Sequence, residues 1–217
     1  MKKDYWAKLE PNVCYHIYNR AIGHENLFLK PAHYDFFLSR WEKYLLPYFS
    51  IYAYCLMPNH FHLLAKAKPL DEQVLADIQN HPSKKAQAFI RNEVDIEAFY
   101  SELFKSLFTS YTGAFNKEQE RHGSLFQQKY KRLAIGDNKH FLAVLHYIHH
   151  NPIHHRFRKN YEDWNYSSYN EYAYSGEHIL LAKAAVLKLY NNDIQSLRQD
   201  HQFYKDNFRL ENTAADW

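Results

Sequence analysis

The run Tyr54-Cys55-Leu56-Met57-Pro58-Asn59-His60-Phe61-His62-Leu63-Leu64-Ala65 decides how the chain is read. Apolar residues on either side of Pro58-Asn59 point to two strands joined by a tight turn, the first over residues 48–56 and the second over residues 61–66. Successive side chains of an extended strand alternate faces, so His60 and His62 share one face while Phe61 and Leu63 take the other. Two imidazoles side by side on a strand can hold a divalent cation if a third nitrogen or oxygen arrives from elsewhere. They can equally be half-buried groups that hydrogen-bond to neighbours, and the pair alone does not separate these readings.

Outward from this run, the chain of 217 residues is long enough for one domain with an appendage. Cys14 and Cys55 each sit in an apolar segment, which suits buried thiols in a reducing compartment. No apolar stretch follows Met1-Lys2-Lys3, and none approaches the roughly 20 residues that cross a bilayer. A cytoplasmic protein with no membrane partner is therefore expected. The net charge of +3 permits a nucleic-acid partner without demanding one. Aromatic residues make up 18% of the chain, so beyond a core they supply surfaces on which bases could stack.

In chain order, Val13-Cys14-Tyr15-His16-Ile17-Tyr18 alternates as a first strand, with Asn19 and Arg20 at its exit; Arg20 is a candidate phosphate contact. Helical spacing of Phe36, Phe37, Trp41, Tyr44 and Leu45 predicts an amphipathic helix over residues 31–46. Residues 69–94 are polar and little patterned, which reads as a loosely ordered insertion. Phe99, Leu103, Leu107, Tyr111 and Phe115 mark a long helix from Ile96 to Lys117. After Gly123, an extended basic segment interleaves Lys129, Lys131 and Arg132 with Phe126, Tyr130 and Leu133, so that one face could meet a core and the other phosphates. An ordinary edge strand protected by lysines is the competing reading.

Asp137 is placed to cap a helix over residues 140–150, which Asn151-Pro152 should end. Tyr147 and Asn151 lie on one face of it, a turn apart. If this helix covers the sheet near the two histidines, Tyr147 can attack a phosphate and Asn151 can complete a cation site with His60 and His62; on this helix alone Tyr147 reads instead as a core tyrosine whose hydroxyl caps a neighbour. His149, His150, His154 and His155 read as a basic face around the helix end. An aromatic loop over residues 164–169 and helices over residues 179–191 and 194–207 complete the chain.

Together, Met57-Pro58-Asn59-His60-Phe61-His62-Leu63-Leu64, Gly123-Ser124-Leu125-Phe126-Gln127-Gln128-Lys129-Tyr130 and Tyr147-Ile148-His149-His150-Asn151-Pro152 resemble the single-tyrosine HUH transposases. The likeness is to their REP-associated tyrosine transposase branch, and Tyr15-His16-Ile17-Tyr18-Asn19-Arg20 and Trp164-Asn165-Tyr166-Ser167-Ser168-Tyr169 also match. It covers residues 12–172 and departs at Gln127-Gln128-Lys129, where relatives often carry an arginine. The resemblance implies an α+β fold, a ferredoxin-like or RRM-like antiparallel sheet with helices on one side. It also implies a transposase-like domain over residues 1–176, with residues 69–94 inserted, and a helical extension over residues 177–217. Its chemistry is cleavage and joining of single-stranded DNA at hairpins through a 5′-phosphotyrosine, by a homodimer using Mg²⁺ or Mn²⁺. Carried over by position, Tyr147 is the nucleophile and His60, His62 and Asn151 hold the metal. Arg20, Lys129, Tyr130, Lys131 and Arg132 are the DNA-contact candidates.

Two other classes stay open. A protein of the same fold that binds hairpins without cutting them would need the aromatic and basic surface but not the tyrosine. A histidine-rich zinc hydrolase would need a carboxylate beside the histidine pair, and none is evident.

Overall fold

A computed structural model describes residues 4–174 and 180–208. In chain order it contains β1 (Cys14–Arg20), α1 (Pro31–Tyr44), β2 (Phe49–Met57), β3 (His60–Ala67), α2 (Glu72–Gln79), α3 (Lys84–Ile90), α4 (Ile96–Glu118) and β4 (Lys131–Ile135). Then follow α5 (Asn138–His154), a 3-10 turn (Tyr161–Asp163), α6 (Tyr169–Ala173), α7 (Lys183–Lys188) and α8 (Ile194–Asp206). The four strands form one antiparallel sheet in the order β2-β3-β1-β4. With α1 after β1 and α4 before β4, this is the split βαβ topology of ferredoxin-like folds.

Alternation along β3 sets the two layers. Phe61 faces α1 and meets Phe37 and Trp41 at ring-centroid distances of 5.3 and 5.8 Å. The stripe Phe99, Leu103, Leu107, Tyr111 and Phe115 on α4 is buried, and α4 packs on α1. His60 and His62 face the opposite way, toward α5, which lies across β2 and β3. Helices therefore cover both faces of the sheet rather than the one side expected, because α5 supplies a second apolar face in Val144, Leu145 and Ile148.

Three further expectations are corrected. Residues 69–94 hold two ordered helices: Asp71 caps α2 by accepting from Val74 N–H, and Ser83 caps α3 by accepting from Ala86 N–H. Their short apolar sets, Val74 with Ile78 and then Ala86, are buried but span too few turns to show a period. Secondly, α5 continues through Pro152 to His154. The stop comes at Arg156, which takes the left-handed conformation at φ 58° while the N–H groups of Phe157 and Arg158 return to Pro152 O. Asn151 thus sits inside the helix. Thirdly, His149 and His150 are buried rather than part of a basic surface. The loop after the 3-10 turn runs beside β2, with Ser167 bridged to Cys55. Cys55 is buried and Cys14 half-buried, and burial pushes the Cys14 thiol up to about 12. The expected boundary between residues 176 and 177, the start of the helix expected from residue 179 and the end of the polar tail lie outside the described residues.

Candidate active site

The hairpin that carries the histidines is held from outside. Pro58 O accepts from the N–H groups of Leu27 and Phe28, and Asn59 O accepts from Ala21 N–H. His60 follows directly and pairs with Arg20 across the strand, while His62 pairs with Tyr18. Side chains of cross-strand partners share a face, so His16, Tyr18 and Arg20 of β1 stand beside the histidine pair.

Each histidine of the pair has its Nδ1 engaged. The Asn59 Oδ1 lies 2.7 Å from His60 Nδ1, which places the ring proton there and turns the Nε2 lone pair outward. His62 Nδ1 lies 2.9 Å from His16 Nε2, between rings stacked at 5.1 Å. Burial lowers His60 and His16 to about 3 and His62 well below its usual value, so all three are neutral at pH 7. Neutral imidazole is the ligating form.

The third candidate ligand is aimed by its own helix. Asn151 Nδ2 donates to Tyr147 O at 2.9 Å, which fixes the carboxamide and points Oδ1 toward His60 Nε2, 3.4 Å away. Two lone-pair atoms facing each other are a poor hydrogen bond and a good beginning for a cation site. Donors each about 2.1 Å from an octahedral cation and at right angles are separated by about 3.0 Å, close to the spacing seen. His60 Nε2 and Asn151 Oδ1 are therefore spaced to share a small divalent cation, with the His62 ring beside them at a centroid distance of 5.3 Å from that of His60. Among the described residues no group of three or more His, Cys, Asp or Glu could hold a metal ion, so the carboxamide is what extends the pair.

Tyr147 lies over the same residues, its ring centroid 5.4 Å from His62 and 5.9 Å from His16, edge-on to both. It is 5% exposed. The phenol of Tyr204 is pushed up first by burial and second by the neighbouring Tyr147, and that of Tyr18 by burial, then Tyr5, then Tyr147, which places residues of β1 and α8 around the tyrosine. Tyr111 of the α4 stripe, by contrast, donates its hydroxyl to Leu27 O inside the core.

Sheet parity divides the basic segment. Lys131 pairs with Tyr18 on the histidine face, its Nζ 5.6 Å from that ring and 5.1 Å from Tyr5. Lys129 lies 5.6 Å from the Trp6 ring. Tyr130 and Arg132 take the other face: Tyr130 stacks on Phe104 at 4.8 Å, and Arg132 forms an ion pair with Glu97 of α4 and donates to Tyr130 Oη. The sheet thus brings Arg20 and Lys131 to the histidine side and turns Tyr130 and Arg132 toward α4.

Behind Tyr147, a buried relay ties α5 to α8 and β2. His201 Nδ1 donates to Leu197 O, leaving Nε2 to accept from His149 Nδ1 at 2.8 Å; His149 Nε2 meets Ser168 Oγ at 2.8 Å. Sequence reading left out His16, Asn59 and this relay. The signal for His16 was the alternation His16-x-Tyr18-x-Arg20, whose meaning depends on a strand register that the sequence does not display.

No family model matches the chain. Over 124 residues, 56% of the chain, it is 27% identical to a Haemophilus influenzae protein named "Putative REP-associated tyrosine transposase", and it spans 60% of that protein's length. The structure of a REP-associated tyrosine transposase bound to a REP hairpin is similar with a TM-score of 0.58, at 17% identity, over 83% of this chain and 92% of that one. That likeness is one of fold: the four-stranded antiparallel sheet with its helices, including those at the C-terminal end. By sequence over that segment and by fold over most of its length, the chain is a relative of the REP-associated tyrosine transposases.

Proposed function

We propose that the chain is a metal-dependent enzyme that cuts and rejoins single-stranded DNA beside hairpins, with Tyr147 as nucleophile. The observation that carries this reading is the convergence of Tyr147, His60, His62 and the Oδ1 of Asn151 on one face of the sheet. His60, His62 and Asn151 would hold Mg²⁺ or Mn²⁺. When bound, that cation withdraws charge from the scissile phosphate. Arg20 and Lys131 would neutralise the flanking phosphates on the histidine face. The Tyr147 Oη attacks phosphorus, the bond from phosphorus to the 3′-oxygen breaks, and the phenol proton ends on the released 3′-hydroxyl. A 5′-phosphotyrosine results, and attack by another 3′-hydroxyl reverses the step without ATP. Since Tyr147 is 5% exposed, DNA entry has to uncover it.

That burial favours a second reading, a hairpin-binding protein that does not cut. One experiment separates the two: incubation of the full chain with a labelled library of single-stranded hairpins and Mn²⁺, followed by denaturing electrophoresis. A protein-linked DNA band is expected. Binding without any such band would leave the second reading standing.

A further inference from the structure

A pocket of about 280 Å³ opens beside His60, lined by Arg20, Asn26, Asn59, His155 and Phe157 among others. It is assembled from three separate segments: the end of β1 with its following loop, the hairpin turn, and the chain just beyond α5. Its chemistry is uniform in one respect, since no carboxylate lines it. Among the described residues Arg20 makes no ion pair, so its charge is not cancelled inside the protein. Arg20 stands opposite His60 in the strand register. Two carboxamides, Asn26 and Asn59, add polar groups able to meet a base edge.

Phe157 supplies the apolar wall and is 45% exposed. Its position is fixed rather than loose. The left-handed Arg156 turns the chain, Phe157 N–H returns to Pro152 O, and the ring leans on Trp164 at 6.0 Å. Trp164 is in turn anchored by its indole N–H to Leu56 O at 3.1 Å. A preset aromatic ring and a cation lining one small pocket can hold an unpaired nucleotide, by stacking its base and neutralising its phosphate.

We propose that this pocket receives the nucleotide next to the scissile phosphate, with its base stacked on Phe157 and its phosphate held by Arg20. The inference rests on the reading of the neighbouring site as one for single-stranded DNA, and it deepens that reading by assigning a protein surface to one base. A volume of about 280 Å³ suits one base rather than a longer stretch of strand.

The test uses the full chain carrying Tyr147→Phe, so that binding is read without cleavage. The probes are single-stranded hexanucleotides with 2-aminopurine at each position in turn. Stacking on Phe157 should quench the probe, and Phe157→Ala should abolish the quench and weaken binding by roughly 5- to 150-fold. Phe157→Leu keeps the apolar bulk and removes the aromatic face, and it should lose the quench as well. Arg20→Met should lower the slope of log affinity against log salt by about 0.7, while Phe157→Ala leaves that slope in place. A quench retained in Phe157→Leu, an unchanged salt slope in Arg20→Met, or no binding of any probe would overturn the proposal. Loss of the DNA adduct in the cleavage assay with these effects intact would instead overturn cleavage and leave the pocket.

Discussion

Replacing His16 by leucine tests the candidate metal site without touching any residue that would hold the metal. His16 is 2% exposed, and its Nε2 lies 2.9 Å from His62 Nδ1. For His62 to offer Nε2 to a cation its proton must sit on Nδ1, and His16 Nε2 is the acceptor that receives it. Leucine keeps the apolar contact and deletes the acceptor, which frees the tautomer and leaves a buried N–H that costs about 1–3 kcal/mol. Removing such an outer partner typically lowers metal affinity 10- to 100-fold, about 1.4–2.7 kcal/mol. Glutamine, whose side-chain oxygen can accept, should restore much of this. The assay is calorimetric titration with Mn²⁺ in the absence of DNA, together with the shift in Tm that saturating Mn²⁺ produces. Wild-type affinity in His16→Leu would refute the role of His16. Failure of wild type itself to bind Mn²⁺ would refute the metal site.

The remaining predictions concern stability and binding. His201 and His146 pack together with His149, Tyr190, Tyr204 and Asp200, and burial holds them at about 3 and about 4. Above the unfolded value near 6.5 neither state carries the proton; below it the unfolded chain gains protons that the native state refuses. Each such histidine should therefore remove about 1.4 kcal/mol per pH unit from about 6.5 down to its native value, and His201→Gln should flatten the fall in unfolding free energy from urea titrations by that amount. Arg132→Met should cost about 1–3 kcal/mol because it strands Glu97. Lys131→Ala should instead leave stability within about 0.5 kcal/mol and lower the salt slope of single-stranded DNA binding by about 0.7; the opposite pattern would reverse the assignment of faces. Asp71→Ala should cost about 1 kcal/mol through the lost cap of α2, and an unchanged Tm would mean that this cap contributes nothing.

How much of this could be read from the residues depended on whether the evidence was local. Alternation within β3 placed His60 and His62 together, and helical spacing placed Tyr147 with Asn151, because both periods act within one element. Across elements the reading weakened. Register decides that His16 and Lys131 share the histidine face while Arg132 turns to α4, and register is set by tertiary packing. Pro152 suggested a helix end, yet packing on both sides carries α5 another turn to a left-handed Arg156. A histidine-rich helix end looked basic because exposure was assumed; burial against α8 makes His149 and His150 neutral and internal. The short helices of residues 69–94 were announced only by their caps, Asp71 and Ser83, since two turns show no period.

The central claim is that Tyr147 becomes covalently joined to DNA. Its direct measurement is peptide mass mapping of the adduct formed with single-stranded hairpins and Mn²⁺, run beside Tyr147→Phe. A 5′-phosphate-linked nucleotide on the peptide containing Tyr147, absent from a Tyr147→Phe protein that still binds the hairpins, is the expected result. An adduct that survives Tyr147→Phe, or that maps to another tyrosine, would contradict the account.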